Sequence, residues 1–223
     1  MKHIFKTGIV IAGLAAVALT QSPPAAPSQN ANIISYGLVI DDSGSMLEQL
    51  KQIRRAAKIV VANNGADDET FILLFTDAKH TTRLQDFTRD KQTLNEAIDD
   101  IYIQGGDTAI IDGLAESARY VADSSSTART SRRALILLSD GEDRASKQKL
   151  DDVLSFIREK HIAVYVIGIV GQLEKDRGKK ATQKATEFLT NIAAQTGGTA
   201  FFPRDLELLN RNAAEIFQKL RTH

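Results

Sequence analysis

Four short apolar runs, GLVI at 37–40, FILLF at 71–75, ALILL at 134–138 and IAVYVIGI at 162–169, punctuate the chain, and none alternates apolar with polar residues. Runs of this kind, rich in Ile, Leu and Val, are what strands covered on both faces require, because neither row of side chains can meet water. The stretches between them carry helical period. Leu47, Leu50, Ile53, Ala57, Val60 and Val61 form one apolar stripe, and Leu94, Ala97, Ile98 and Ile101 a second. Ile111, Leu114, Ala115, Ala118 and Val121 form a third, and Leu150, Val153, Leu154 and Ile157 a fourth. Phe188, Leu189, Ile192 and Ala193 precede a last stripe of Leu209, Ala213, Ile216, Phe217 and Leu220. Strands alternating with amphipathic helices predict an α/β fold, a doubly wound and mostly parallel sheet with helices on both faces. His80 to Phe87 is the exception. Its mixed polar alternation suits an exposed edge strand, antiparallel to 71–75.

The chain of 223 residues holds enough for one domain with a real core. MKHIFK followed by TGIVIAGLAAVALT reads as the basic and apolar parts of an export signal over residues 1–20, too short for a comfortable membrane span. The cleavage point falls somewhere in 20–29, and an uncleaved anchoring N-terminus is the alternative. Residues 21–31 hold three of the four prolines and read as a linker, which leaves 32–223 as the domain. With no cysteine, a lipoprotein anchor and a disulfide framework are both excluded, so an exported fold must rest on its core. The expected location is periplasmic or extracellular, with no membrane span in the mature chain. Lys plus Arg (28) equal Asp plus Glu (28), and Lys2 and Lys6 fall in the leader, so the rest is slightly acidic and suggests no nucleic-acid partner.

In an open α/β sheet, ligands bind outside the carboxyl ends of the strands. Asp41, Asp42, Ser43 and Ser45 leave the first predicted strand, and Ser139, Asp140, Gly141, Glu142 and Asp143 leave the one at 134–138. A third segment, Gly105-Gly106-Asp107-Thr108, allows close backbone approach just before a helix. Each has an ordinary structural explanation. Ser45 with Glu48 spells a capping box, Asp107 or Thr108 an N-cap, and Asp140-Gly141 a turn. Capping does not by itself explain carboxylates gathered at neighbouring strand ends, where like charges raise one another's proton affinity unless a cation intervenes. Carboxylates and hydroxyls are hard donors, so Mg²⁺, Mn²⁺ or Ca²⁺ fit where zinc and copper do not. Few charges and short side chains favour Mg²⁺.

Asp41-Asp42-Ser43-Gly44-Ser45 resembles the D-x-S-x-S motif of von Willebrand factor type A domains. Thr108 in GGDTAIIDGL resembles the family's threonine, and Asp140 in LLSDGED its second aspartate. The likeness runs from about Ile33 to Leu220, and its tail TGGTAFFPRDLELL is similar to that of secreted bacterial members. The resemblance implies a metal-ion-dependent adhesion site. Ser43, Ser45 and Thr108 would be direct ligands, Asp41 and Asp140 would balance charge partly through water, and a protein partner's Glu or Asp would supply the last ligand. Asp107 departs from the family's usual GGT spelling and is expected to cap the helix. No catalysis is implied, and within the same family the alternative is a purely structural metal with no partner, which would stabilise the fold and do nothing else. The competing enzyme reading is a secreted serine esterase of the GDSL type, using Ser43 or Ser45 with Asp77 and His80. Its Asp-x-x-His stands in the wrong order, and the residues that would form an oxyanion hole are missing. The charged stretch 171–184 follows a strand end and is expected to overhang the metal edge, either as a rim that selects partners or as a charged surface loop with the start of the next helix. Arg129, Arg132 and Arg133 read as a solvated strand entrance.

Overall fold

The computed structural model describes residues 33–77, 80–123 and 132–222. The leader, the proline-rich linker, the domain's first residue Asn32 and Arg129 lie outside the described residues. Among the described residues six strands form one sheet: β1 (Ile34–Asp41), β2 (Glu69–Phe75), β3 (Thr81–Thr88), β4 (Arg132–Ser139), β5 (Ile162–Gly168) and β6 (Ala200–Phe201). Their order is β3-β2-β1-β4-β5-β6, with β3 antiparallel to β2 and every other pairing parallel. The doubly wound, mostly parallel sheet with one antiparallel edge strand is therefore the architecture of the molecule. β1 and β2 are buried along their whole length and β3 is largely exposed. Continuous hydrophobicity and mixed polarity had separated them in the same way.

Among the described residues seven α-helices surround the sheet: α1 (Leu50–Ala62), α2 (Lys91–Asp99), α3 (Ile110–Asp123), α4 (Leu150–Glu159), α5 (Gly171–Arg177), α6 (Lys179–Gln195) and α7 (Leu206–Thr222). Tyr36, Leu38 and Ile40 of β1 face one way, into a core shared with α1, α2 and α7. Val39 faces the other way, with Leu135 and Leu137 of β4, into a core shared with α3, α4 and α6. Among the described residues no helix is long and apolar enough to cross a membrane.

Two expectations change. Residues Gly44–Gln49 form a 3₁₀ helix ahead of α1, and Leu47 is 62% exposed. With about three residues per turn in place of 3.6, the stripe rotates there and carries Leu47 out of the core. The helix start expected within 171–184 is there, but no irregular loop precedes it, since the stretch forms α5 and the first turns of α6.

Gly113 sets how closely α3 lies on the sheet. A Cβ there would stand 2.5 Å from Phe75 Cγ and 3.0 Å from Phe75 Cβ. Alanine gains about 1 kcal/mol of helix propensity over glycine, but overpacking a filled core costs roughly 1–3 kcal/mol. Gly113→Ala is therefore expected to lower stability by about 1 kcal/mol net, read from the midpoint of a urea unfolding curve. An unchanged or raised midpoint would show that Phe75 can move aside.

Candidate metal centre

The strand order reverses direction between β1 and β4, and that switch point is where an open sheet forms its binding crevice. Register places Ile40 of β1 beside Leu138 of β4, so Asp41 and Asp140 leave adjacent strands side by side. Both are buried, as are Ser43 and Thr108, while Ser45 is half-buried. Three loops are stitched together at this edge. Gly44 N donates to Gly106 O at 3.2 Å, and Gly105 N to Asp42 O at 3.3 Å, which ties the first loop to the glycine loop. Arg144 N and Ala145 N donate to Thr108 O at 2.8 and 2.9 Å, which ties the glycine loop to the one after β4. Gly105 and Gly106 have φ of +85° and +102°, backbone that side-chain-bearing residues adopt at a cost.

Hydroxyls line the space between the carboxylates. Ser43 N donates to Asp41 Oδ1 at 3.1 Å, and Ser139 Oγ donates to Asp41 Oδ2 at 2.7 Å. The Ser43 hydroxyl also hydrogen-bonds Asp41, and the Ser45 hydroxyl hydrogen-bonds Asp140. The Ser43 and Ser45 hydroxyls also hydrogen-bond one another at 3.2 Å. Burial, followed by the neighbouring Asp140 charge, pushes the Asp41 carboxyl up to about 7. Burial also raises Asp140.

The chemistry of the donor set tests whether a cation fits. The Ser43 and Ser45 hydroxyls share one hydrogen bond at 3.2 Å, and each oxygen keeps a lone pair for a further partner. Two carboxylates and facing hydroxyl oxygens are a hard-oxygen donor set, and the residues fit Mg²⁺. Among the described residues no three His, Asp or Glu side chains gather as a metal cluster. The charge here comes from one carboxylate pair, and hydroxyls stand where further acids would be.

The structural alternatives fare differently. The 3₁₀ helix carries no side-chain cap, and Glu48 Oε2 accepts from Gln172 Nε2 at 2.9 Å, so the capping box does not form. Nor do Asp107 and Thr108 cap α3. Ile110 N donates to Asp143 Oδ1 at 2.7 Å and Ile111 N to Ser146 Oγ at 3.1 Å, a cap supplied from another loop. Asp107 is exposed, and Thr108 is free of capping duty. His80 Nδ1 meets Asp77 at 2.9 Å, whereas the serine hydroxyls meet the carboxylates and each other. Three further residues build the site. Ser139 bridges β1 to the turn after β4 by also accepting from Gly141 N at 3.0 Å. Asp42 Oδ1 accepts from Gln104 N at 2.7 Å and anchors the glycine loop, with burial raising its carboxyl to about 6. Asp143 fixes the start of α3. The polar cluster after each strand was the signal for all three, but it did not single them out.

The family model for the von Willebrand factor type A domain matches residues 37–215, and the chain belongs to that family. Solved structures with the same fold include an aerotolerance-related membrane protein from Bacteroides fragilis, at 19% identity and a TM-score of 0.63, covering 85% of this chain and 100% of that one. A von Willebrand factor type A protein from Catenulispora acidiphila is 20% identical with a TM-score of 0.66, over 86% of this chain and 43% of that one. The pilus adhesin SpaC from Lactobacillus rhamnosus GG is 13% identical with a TM-score of 0.64, over 86% of this chain and 30% of that one. At these identities the likeness is one of fold. No curated protein matches the chain.

Proposed function

We propose that this chain is an exported, non-catalytic protein-binding module whose contact with its partner depends on a divalent cation, Mg²⁺ before Mn²⁺ or Ca²⁺. One observation carries the reading. Two buried carboxylates meet at the switch point beside the Ser43 and Ser45 hydroxyl oxygens, which hydrogen-bond one another at 3.2 Å. Bound there, Mg²⁺ would supply a Lewis-acidic coordination position that a partner's Glu or Asp carboxylate can fill.

The chain's own residues divide the remaining work. Ser43, Ser45 and Thr108 would offer hydroxyl oxygens, and Asp41 and Asp140 would offset the cation's charge. Ser139 and the Ser43 N–H orient Asp41, and Asp42 holds the glycine loop that carries Thr108. Family membership and a fold shared with a pilus adhesin support binding over catalysis. The basic and then apolar leader supports export.

The test is a pull-down from the secreted and cell-envelope fractions, run in Mg²⁺, in chelator, and with Asp41→Ala in Mg²⁺. Proteins recovered in the first arm are expected to be absent from the other two. Recovery of the same proteins in all three would overturn the proposed binding mode.

A further inference from the structure

Directly beside the metal edge lies a groove of about 780 Å³ with an excess of positive charge. Arg144, Arg177, Lys180 and Lys184 line it over the apolar surface of Phe188. Its position follows from Gly141, the residue after Asp140, which has φ +86°. A Cβ at Gly141 would stand 3.0 Å from both the Cβ and the carbonyl oxygen of Ala185. The Asp140 turn and α6 are thus in direct backbone contact, and the groove begins where the metal edge ends.

The charges in it are not used equally. Glu142 pairs with Arg144 and, at 3.4 Å, with Arg177 Nε, while the Asp143 carboxylate is committed to the start of α3. Lys180 and Lys184 are exposed and join no ion pair among the described residues. They stand one turn apart on α6, an arrangement of like charges that weakens a helix. The N-terminal end of this 17-residue helix, which has no side-chain cap, adds partial positive charge of the same sign. Nothing in the fold gains from this uncompensated charge. A ligand of opposite sign does.

We infer that the groove takes an acidic segment of the protein partner, so that one carboxylate reaches the metal edge and further acids along the same segment lie against Lys180 and Lys184. The first contact rests on the metal-dependent reading above; the second does not. Charge complementarity selects the occupant, because a neutral or basic segment would leave the lysines as they are, and an acidic one neutralises them beside an apolar floor.

The probe is a short fluorescein-labelled peptide of alternating glutamate and serine, with its glutamine counterpart as control, titrated by anisotropy against the full chain in Mg²⁺. The glutamate peptide is expected to bind and the glutamine one not to. Lys180→Glu combined with Lys184→Glu is expected to weaken binding by about tenfold at low ionic strength and by less in high salt. The milder pair Lys180→Gln and Lys184→Gln falls between, and circular dichroism checks that each variant is folded. Unchanged affinity in the folded charge-reversed variant, or no binding by the parent chain, overturns the groove assignment. If charge reversal weakens binding while chelator and Asp41→Ala leave it unchanged, the groove stands and the metal contact falls. If chelator abolishes binding and charge reversal does not weaken it, the metal contact stands and the groove falls.

Discussion

Asp41→Asn is expected to abolish the thermal stabilisation that Mg²⁺ confers on the parent chain, and to leave the metal-free protein as stable as the parent or more so. The two effects have opposite signs for one physical reason. Without a cation, burial above all, and then the neighbouring Asp140 charge, disfavour an ionised Asp41, which is why its carboxyl is raised to about 7. Removing one charge relieves that conflict, and the asparagine carbonyl can still accept from Ser43 N where Oδ1 accepted at 3.1 Å. With a cation, the same charge is what holds it. A ligand at a hundred times its dissociation constant stabilises the folded state by about 2.7 kcal/mol. For a domain of this size that corresponds to a rise of roughly 5–10 °C in melting temperature. Differential scanning fluorimetry in chelator and in Mg²⁺, for both chains, reads the crossing directly. An equal rise in parent and variant would place the cation elsewhere, and no rise in either would remove the metal from the account.

The site could be read from the sequence as far as chemistry is local, and no further. Asp41 and Asp140 were identifiable because a buried strand must end where its carboxylates begin, and two such ends at one sheet edge limit where a cation can sit. The hydroxyl that completes Asp41 was hidden. Ser139 ends an apolar run and has no marker of its own, yet its Oγ donates across from β4 to Asp41 at 2.7 Å. The cap of α3 was hidden for a similar reason. Asp107 and Thr108 sit where a local cap belongs, but Asp143, 33 residues away, reaches Ile110 N first, and only the closed fold brings them together. Strands were the clearest elements, because a side chain alternates between two faces and burial of both leaves no polar position. Among helices, α6 was visible only in its second half. Its buried residues are Ala185, Leu189, Ile192 and Ala193, so the charged first turns carry no apolar period to betray them. Those same turns supply the lysines of the groove.

The opposite end of the sheet uses charge in a different way, and there the largest loss of stability is expected. Asp68 precedes β2 at the amino ends of the strands, with its side chain 2% exposed, and it is fully partnered. Its carboxylate accepts from Ile34 N at 3.1 Å, from Gly65 N at 2.6 Å and from Arg221 Nη2 at 2.5 Å. One side chain thereby ties the start of β1, the turn before β2 and the last turn of α7. Asp68→Ala strands two backbone N–H groups and a guanidinium at once, and is expected to cost about 3 kcal/mol, measured by urea unfolding. Arg221→Ala leaves the two N–H donors satisfied and removes a pair whose arginine is 36% exposed, together with the guanidinium's contact over the Phe217 ring, so about 1 kcal/mol is expected. Because Asp68 and Asp41 lie at opposite ends of their strands with no shared partner, the effects of substituting them should add, and Asp68→Ala should keep the full Mg²⁺-dependent shift. A change below about 0.5 kcal/mol in Asp68→Ala would mean that water replaces the carboxylate without penalty. Paired charge at one end holds the fold closed, and the carboxylates left facing one another at the other end are held in place by that closure.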